Sequence, residues 1–358
     1  MTRRTALVLL TVAAWPAHAE SPAHDACRPP AGLAAPAPII AVHGPAHKGT
    51  DRRIEPFALM QMKAAAAWRG RRDEGAADRA VDALLQWARP GALSEIVDAG
   101  PSHSNTNSIY SLRRALIAIL GAWTDLRTAP AAQAHAEEIE RWLGHLIAAQ
   151  DVETGSEKHR AKGEAMSNYN NHALLRATIA AQWAALTGQR AFADNAARVA
   201  RSAIAGMRDD GSLPLETARG PRALWYQRHS LASLVYIAEL LRPFGYDLWQ
   251  PRADGADLHR AVAFLLDAID RPARLTAYTG RDDADRQDLG FLELRGNGRH
   301  YMAWAELYRA RFPGRGEANR LLALLPRRGD RGWPMLDDYA GGNATCRVLT
   351  NDSPKKGE

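Results

Sequence analysis

Apolar residues recur at helical spacing along most of this 358-residue chain, and this periodicity restricts the fold more than any other feature. Apolar positions lie three or four residues apart and are separated by polar ones, as on an amphipathic helix. We find no alternation of apolar and polar residues long enough to indicate a half-buried strand. The pattern predicts an all-α fold, with helices over residues 56–68, 76–88, 107–126, 131–149, 171–186, 191–207, 221–241, 258–269 and 300–311.

Several of the predicted helices are joined by short turn signals, such as those that contain Gly188 and Gly211. Helical hairpins of this kind must bury their apolar stripes against one another. Many hairpins in succession form either a solenoid or a closed toroid, and the sequence lacks the strict repeat that marks helical solenoids. We therefore expect a toroid of helical hairpins with a groove through its middle.

The N-terminus has the three parts of a secretory signal peptide. Two arginines in the first four residues are followed by an apolar run over residues 6–15 and then by Ala-His-Ala. The run is shorter than the ~20 residues that a membrane-spanning helix needs. We predict a signal peptide over residues 1–19, one domain over residues 20–340 and a mobile tail over residues 341–358. The protein is expected to be exported and soluble, with no membrane partner.

The chain carries a formal net charge of +6 and two cysteines, Cys27 and Cys346. A modest positive excess suits a polyanionic partner, through long-range steering and through ion pairing. In an oxidising compartment the two cysteines could pair and tie the ends of the chain together, and two unpaired thiols are the equal alternative. The sequence has no Cys or His metal framework, so we expect no metal and no other cofactor. We also expect no nucleic-acid partner.

The most unusual local sequence is Ser-Asn-Tyr-Asn-Asn-His over residues 167–172, directly before an apolar helical segment. Asn and Ser are good N-caps, so the start of a helix explains one of these residues. It does not explain the other Asn residues, the Tyr and His172 together. A helix start also presents free backbone N–H groups and a partial positive charge, which favour an anion.

A second unusual sequence covers residues 210–226. Pro221 suits the first position of a helix, so Arg219 would lie just before that helix and Tyr226 in its second turn. This arrangement brings a guanidinium to another helix start, with a phenol nearby. The structural alternative is a surface Arg and a Tyr that packs within the helix.

The two sequences together support one specific reaction, the cleavage of a uronate polymer by β-elimination. A base removes the proton at C5, next to the carboxylate, and the C4–O bond then breaks. The enzyme must neutralise the carboxylate and hold the enolate-like intermediate with preorganised donors, for which Asn, His and Arg are suitable. A phenol can take the C5 proton and donate one to the leaving oxygen. In mannuronate both atoms lie on the same side of the ring, so one group can serve both steps.

This pair of motifs resembles that of the mannuronate-specific alginate lyases of polysaccharide lyase family five. The shared pattern is Asn-Asn-His, an Arg forty-seven residues later, a Tyr seven residues after that, and the lead-in Gly-Ser-Leu-Pro-Leu-Glu. The resemblance implies an incomplete (α/α) toroid, an acidic polysaccharide substrate and a periplasmic location, and is compatible with a role in an exopolysaccharide secretion complex. It implies a catalytic centre made of Asn171, His172, Arg219 and Tyr226.

Weaker similarity and position predict the residues that bind the polymer. The basic segment over residues 48–53 is similar to the family's lid, and Trp225 offers an aromatic platform for a sugar. The predicted substrate-binding residues are Lys48, Arg52, Arg53, Arg222, Trp225 and Tyr301. After His172 the sequence departs from the family, because Ala-Leu-Leu-Arg stands where aromatic residues are usual, and this leaves the uronate open.

Three other functions stay open on the sequence alone. A related lyase that acts on a glucuronan would need anti elimination, with His172 and Tyr226 dividing the work. A hydrolase needs two facing carboxylates, and Asp210, Glu216 and Glu306 are candidates whose spacing marks no pair. A non-catalytic protein that binds an exopolysaccharide would keep the basic groove without needing Tyr226.

Overall fold

The computed structural model describes residues 22–29, 35–44, 50–97, 105–155, 168, 170–251, 257–296 and 298–351. The predicted signal peptide, Lys48 and the last residues of the predicted tail, 352–358, lie outside this part of the chain. Most of the described residues are helical, which confirms the predicted all-α class. None of the described helices is long and apolar enough to cross a membrane.

The long helices follow the predicted segments closely along the chain. The helices are α1 (Pro22–Ala26), α2 (Glu55–Arg71), α3 (Glu74–Ala88), α4 (Thr106–Leu126), α5 (Pro130–Gln133), α6 (Ala136–Gln150), α7 (Asn170–Thr187), α8 (Arg190–Ala205), α9 (Pro214–Thr217), α10 (Ala223–Leu241), α11 (Leu258–Asp270), α12 (Thr276–Thr279), α13 (Arg281–Ala284), α14 (Trp304–Arg311), α15 (Gly316–Leu324) and α16 (Ala344–Asn351). The strands are β1 (Ala41–His43), β2 (Glu95–Val97), β3 (Leu336–Asp337) and β4 (Gly342–Asn343). The first two strands pair in parallel and the last two pair antiparallel.

The long helices form two layers that alternate along the chain. The inner helices α2, α4, α7, α10 and α14 each pack against the next, and α16 packs against both α14 and α2. The outer helices α3, α6, α8, α11 and α15 cover them, and each packs against at least one inner helix. The last of them, α15, packs against the inner helix α14 and the outer helix α11. This alternation of inner and outer helices is the predicted incomplete (α/α) toroid, and it leaves the ends of the inner helices free to line a central groove.

The structure corrects four details of the predicted elements. The helix expected over residues 131–149 is divided into α5 and α6. The break lies at Ala134 and His135, and the backbone angles of His135 are not helical. The helix expected from residue 300 begins at Trp304, because His300 instead pairs with Leu294 in an isolated bridge and donates its N–H to the Leu336 carbonyl.

The other two corrections concern the strands and the tail. Four strands of two or three residues are present, although none was expected. The tail predicted from residue 341 is wrong for residues 342–351, which form β4 and α16. These residues are ordered because Cys346 is buried against α2 and disulfide-bonded to Cys27, which settles the question that the sequence left open.

The segment before α16 crosses the toroid close to the inner helices. Gly121 of α4 lies against the backbone of Gly341, and a Cβ on Gly121 would collide with that backbone. A Cβ on Gly341 would collide with the side chain of Tyr236. Gly341 also has a φ of 69°, in the left-handed region that glycine adopts without strain. These two glycines therefore let the chain carry residues 337–339 to the floor of the central groove.

The Cys27–Cys346 bond closes a loop with a sequence separation of 319 residues. Such a crosslink lowers the entropy of the unfolded chain, so replacing both cysteines by alanine should lower the free energy of unfolding by about 2–5 kcal/mol. Urea unfolding followed by circular dichroism measures the change. The control is a reductant, which should lower the midpoint of the oxidised wild type to that of the variant and leave the variant unchanged. Equal midpoints for all three samples would contradict the prediction.

Candidate active site

One cavity of about 1540 Å³ opens at the centre of the toroid, at the ends of α4, α7 and α10. Its walls contain the four predicted catalytic residues, Asn171, His172, Arg219 and Tyr226. They also contain five of the six predicted substrate-binding residues, Arg52, Arg53, Arg222, Trp225 and Tyr301. The sixth, Lys48, lies outside the described residues. The two motifs that the sequence singled out therefore meet in one cavity.

Asn171 and His172 lie in the first turn of α7 and are almost fully buried. The backbone N–H of Asn171 donates to Glu216 Oε1 at 2.8 Å, and Ser230 Oγ donates to the same oxygen at 2.6 Å. We expected the free N–H groups of this helix start to receive a substrate anion. That expectation is wrong for Asn171, because its N–H already donates a hydrogen bond to the carboxyl of Glu216. What Asn171 presents to the cavity is its side chain.

Glu216 lies beneath the cavity and is 1% exposed. Burial raises its pKa to about 7, although the hydrogen bond from Ser230, the charge of Arg219 and the N–H of Asn171 all favour the ionised form. Its position in α9 comes from the Gly-Ser-Leu-Pro-Leu-Glu sequence, in which Pro214 begins the short helix. Sequence reasoning treated this residue only as a candidate acid, and the contact with Asn171 gives it a structural role.

Arg219 and Tyr226 approach the cavity from the other side. Arg219 precedes a 3₁₀ turn over Gly220–Arg222 that leads directly into α10, and Tyr226 lies at the start of α10. The guanidinium carbon of Arg219 lies 4.4 Å from the centroid of the Tyr226 ring, and that of Arg222 lies 5.4 Å from it. The predicted placement of a guanidinium before a helix, with a phenol nearby, is thus present in the structure.

The imidazole of His172 is neutral at neutral pH. Burial, together with the positive charges of Arg113 and Arg219, lowers its pKa to about 3. A neutral imidazole donates through one nitrogen and accepts through the other. His172 therefore supplies a neutral donor or acceptor to the cavity rather than a positive charge.

A chain of buried hydrogen bonds runs behind Asn171, and sequence reasoning missed most of it. Asn171 Nδ2 lies 3.2 Å from His229 Nδ1, His229 Nε2 is hydrogen-bonded to the hydroxyl of Tyr339, and that hydroxyl lies 3.0 Å from the hydroxyl of Tyr110. Arg114 Nη1 donates to the Tyr110 hydroxyl at 3.2 Å. All five side chains line the cavity. His229 is 2% exposed.

One wall combines aromatic rings with arginines. The guanidinium carbons of Arg222, Arg228 and Arg295 lie 5.1, 5.5 and 5.3 Å from the centroid of the Trp225 ring. The Tyr301 ring packs edge-on against Trp225 with a centroid distance of 5.4 Å. Arg228 is 1% exposed, and its Nε and Nη1 atoms have no hydrogen-bond partner among the described residues. This wall is therefore rich in positive charge that the neighbouring side chains do not fully neutralise.

The opposite wall holds Arg52 and Arg53, both exposed. Arg53 donates to both carboxylate oxygens of Asp51, at 2.9 and 2.6 Å, and to the Ala41 carbonyl at 2.9 Å. The Arg53 guanidinium therefore ties Asp51 to Ala41 at this rim of the cavity, and it also lines the cavity. Among the described residues, no group of three or more His, Cys, Asp or Glu side chains is arranged to hold a metal ion.

Comparison with known proteins places this cavity in a family context. The model of the Alginate lyase family matches residues 27–275. A "Polysaccharide lyase" of Stenotrophomonas maltophilia is 30% identical over 253 residues, which are 68% of this chain and 66% of that protein. An "Alginate lyase" of Pseudomonas aeruginosa is 31% identical over 217 residues, 59% of this chain and 54% of that protein. The chain thus spans somewhat less than two thirds of the length of the curated relatives it matches.

Solved structures show the same fold. Alginate lyase A1-III from Sphingomonas species A1 has a TM-score of 0.70 at 21% identity, over 92% of this chain and 91% of that chain. A variant of alginate lyase A1-III complexed with a tetrasaccharide has a TM-score of 0.71 at 20% identity, over 95% of this chain and 92% of that chain. Tyr301, Arg295 and Tyr339 lie beyond residue 275, so part of the cavity wall is built by residues outside the family match.

The raised pKa of Glu216 predicts a specific dependence of stability on pH. The folded protein holds a proton on Glu216 up to about pH 7, whereas the unfolded chain loses it near its usual value of 4.5. Stability from this group is therefore fully present below pH 4.5 and is lost as the pH rises through about 7. Relative to Glu216→Gln, the wild type should lose about 3 kcal/mol of unfolding free energy between pH 4.5 and pH 8.

Urea unfolding of both proteins across this pH range measures the difference, and other titrating groups cancel in the comparison. Glu293→Gln, at an exposed position, is the matched control and should show no such change. A constant difference between wild type and Glu216→Gln over the whole range would show that Glu216 ionises normally in the folded protein.

Proposed function

Because this chain belongs to the alginate lyase family, we propose that it is a polysaccharide lyase that cleaves alginate at mannuronate residues by β-elimination. The observation that carries the proposal is the meeting of Asn171, His172, Arg219 and Tyr226 in one cavity. These side chains offer an amide, a neutral imidazole, a guanidinium and a phenol, which are the groups that the reaction needs. The products would carry a 4,5-unsaturated uronate at the new non-reducing end.

In the proposed reaction, three side chains act on the carboxylate of the sugar whose C5 loses its proton. Arg219 supplies a positive charge, while Asn171 and His172 supply neutral groups beside it. As the proton leaves, negative charge moves onto the carboxylate oxygens, and donors already in place stabilise that charge without having to reorganise. Because burial keeps His172 neutral, it can donate a hydrogen bond without acting as a strong acid.

Tyr226 is proposed to take the C5 proton as a phenolate and to give that proton, from the phenol so formed, to the C4 oxygen as the C4–O bond breaks. Its ring is half-buried, lines the cavity and lies beneath the guanidinium of Arg219, so negative charge that develops on the phenol oxygen is close to a cation. Tyr339 is a poor candidate for this role, because burial raises the pKa of its hydroxyl well above the usual value. In mannuronate the hydrogen and the oxygen lie on the same face, so a single phenol suffices.

The aromatic and basic walls support a polymeric, acidic substrate. Trp225 and Tyr301 offer ring faces to sugars, and Arg222 and Arg295 lie beside them, where further uronate carboxylates would bind. Arg52 adds positive charge to the rim of the cavity, whereas Arg53 forms an ion pair with Asp51 that partly neutralises its charge. A polyuronate presents one carboxylate on each sugar, so such walls would bind several sugars at once.

The acids that the sequence offered for a hydrolase do not support one. Asp210, Glu216 and Glu306 do not line the cavity, whereas Asp51, Glu55 and Asp288 do. Burial would raise the pKa of Asp51, but hydrogen bonds from Arg53 and from the His43 N–H outweigh burial and lower it. A hydrolase needs one carboxyl that stays protonated, and a carboxyl with a lowered pKa does not meet that need.

The proposed location is the periplasm, after removal of the N-terminal signal peptide. The buried Cys27–Cys346 bond supports this, since such bonds persist in oxidising compartments. Membership of an exopolysaccharide secretion complex remains a prediction from the family resemblance.

The decisive experiment compares the wild type with Tyr226→Phe on polymannuronate. The wild type should form products that absorb ultraviolet light through their new double bond. Loss of the phenol oxygen removes the acid/base group, so the variant should be slower by roughly a thousandfold. Tyr278→Phe is the matched control, because its hydroxyl bonds Asp210 away from the cavity, and it should keep wild-type activity. A fully active Tyr226→Phe variant would falsify the role of Tyr226.

The same assay on polyguluronate and polyglucuronate tests the sugar. Fastest turnover of polymannuronate supports the proposal, whereas fastest turnover of polyglucuronate identifies a glucuronan lyase. New reducing ends without ultraviolet absorbance would identify a hydrolase, and binding without any cleavage would identify a polymer-binding protein.

Arg219→Ala should both raise KM and lower kcat, because the guanidinium meets the carboxylate in the ground state and more strongly in the transition state. Loss of one preorganised donor to developing charge costs roughly 100-fold or more in kcat. Steady-state kinetics on polymannuronate separate the two effects. Arg198→Ala, on the exposed face of α8, is the control for loss of positive charge. An increase in KM at constant kcat would reduce Arg219 to a binding residue.

A further inference from the structure

We propose that His229 and Tyr339 are positioning residues that hold the amide of Asn171 in the orientation that catalysis requires. The inference rests on the proposed lyase function and deepens it, because it concerns how one of the carboxylate-neutralising groups is fixed. Neither residue belongs to the motif pair that identified the site. Tyr339 comes from a segment beyond residue 275, where the family match ends.

Among the described residues, one side-chain hydrogen bond orients the amide of Asn171. Its Nδ2 lies 3.2 Å from His229 Nδ1, while its Oδ1 is buried without a hydrogen-bond partner among the described residues. One amide hydrogen is used in the contact with His229, and the second hydrogen on the same nitrogen is left for the substrate carboxylate. A rotated amide would present its oxygen to the carboxylate and repel it. The contact with His229 therefore decides whether Asn171 donates a hydrogen bond to the substrate carboxylate or repels it.

The direction of this hydrogen bond determines which nitrogen of His229 carries a proton. Nδ1 accepts from Asn171, so the proton of the neutral ring is on Nε2, which donates to the Tyr339 hydroxyl. Burial lowers the pKa of His229 well below its usual value, and the charges of Arg228 and Arg114 add to this effect. A protonated ring would donate from Nδ1 and force the amide to turn round. By accepting from Nε2, Tyr339 thus stabilises the tautomer of His229 that holds Asn171 correctly.

Tyr339 is itself held firmly. Its hydroxyl lies 3.0 Å from that of Tyr110, which accepts from Arg114. Arg114 lies 4.3 Å from the centroid of the Tyr339 ring and forms a buried bidentate ion pair with Asp338, the preceding residue. The ring and the backbone of Tyr339 are therefore both fixed to α4, and Tyr339→Phe should remove the hydrogen bonds of the hydroxyl to His229 and Tyr110 without moving the ring.

The first test is the activity of Tyr339→Phe on polymannuronate. Misplacement of a catalytic group by about 1 Å costs roughly 100-fold, so we expect kcat to fall roughly 10- to 100-fold while KM stays within about twofold. Tyr308→Phe is a closely matched control. Tyr308 is also fully buried, its hydroxyl lies 2.9 Å from His259 Nδ1, and it does not line the cavity. The control should keep full activity.

The second test asks whether Tyr339 acts through Asn171. In an Asn171→Ala background there is no amide to hold, so adding Tyr339→Phe should change kcat by less than about twofold. If Tyr339→Phe has the same effect in both backgrounds, if it leaves the wild type fully active, or if Tyr308→Phe is equally damaging, the positioning role is wrong. Thermal unfolding of all variants separates these outcomes from loss of folding.

A third measurement does not depend on turnover. Nitrogen-15 NMR of the histidine rings in the oxidised full chain should show His229 neutral with its proton on Nε2, and Tyr339→Phe should shift this signal and that of the Asn171 side-chain amide. A proton on Nδ1 of His229 would overturn the inference. If the wild type cleaves no polyuronate but the NMR result holds, the proposed function fails while the arrangement of His229 and Asn171 stands.

Discussion

The floor of the cavity depends on the buried ion pair between Arg114 and Asp338. Arg114 comes from an inner helix, and Asp338 comes from a segment that lies more than 200 residues later in the sequence. Burying two charges is costly and is repaid only when the geometry is good, and removal of one partner typically costs about 3–5 kcal/mol. Here the pair is bidentate, and Arg299 lies 3.6 Å from the same carboxylate. The pair thus fixes the position of Tyr339, and through it that of His229.

The charge distribution under the cavity favours the binding of a polyanion. Burial raises the pKa of Asp337 well above its usual value, and the neighbouring charge of Asp338 raises it further. Burial also opposes ionisation of Asp338, but the charges of Arg114 and Arg299 outweigh it and lower the pKa of that carboxyl. Three arginines, Arg114, Arg228 and Arg299, lie beside these two carboxyls. The balance under the floor is positive, and the arginines of the Trp225 wall add to it. In a partly enclosed cavity such charge acts over a longer range than it does in open water.

The sequence predicted the parts of the site that are encoded locally. Asn171 and His172 are adjacent, and Arg219 and Tyr226 are separated by two turns, so capping and helix rules place each pair without knowledge of the fold. The toroid followed from helical periodicity and short turns. By contrast, Tyr339 and Asp338 lie in a loop without periodicity, and only packing against α4 brings them to the cavity. The pairing of Cys27 with Cys346 stayed open for the same reason, since it requires the two ends of the chain to meet.

The helix start at Asn171 shows why local rules also mislead. Free N–H groups at a helix start favour an anion, and the sequence suggested that this anion is the substrate. The fold instead supplies a carboxyl of its own, Glu216, from the segment that also carries Arg219. Because burial favours the protonated form of Glu216, the segment fixes α7 without placing a full negative charge beneath the cavity. In the proposed reaction the substrate carboxylate would meet the side chains of Asn171 and His172 and the guanidinium of Arg219, because the N–H of Asn171 is already bonded to Glu216. The lead-in sequence before Arg219 therefore holds both halves of the proposed catalytic centre in register.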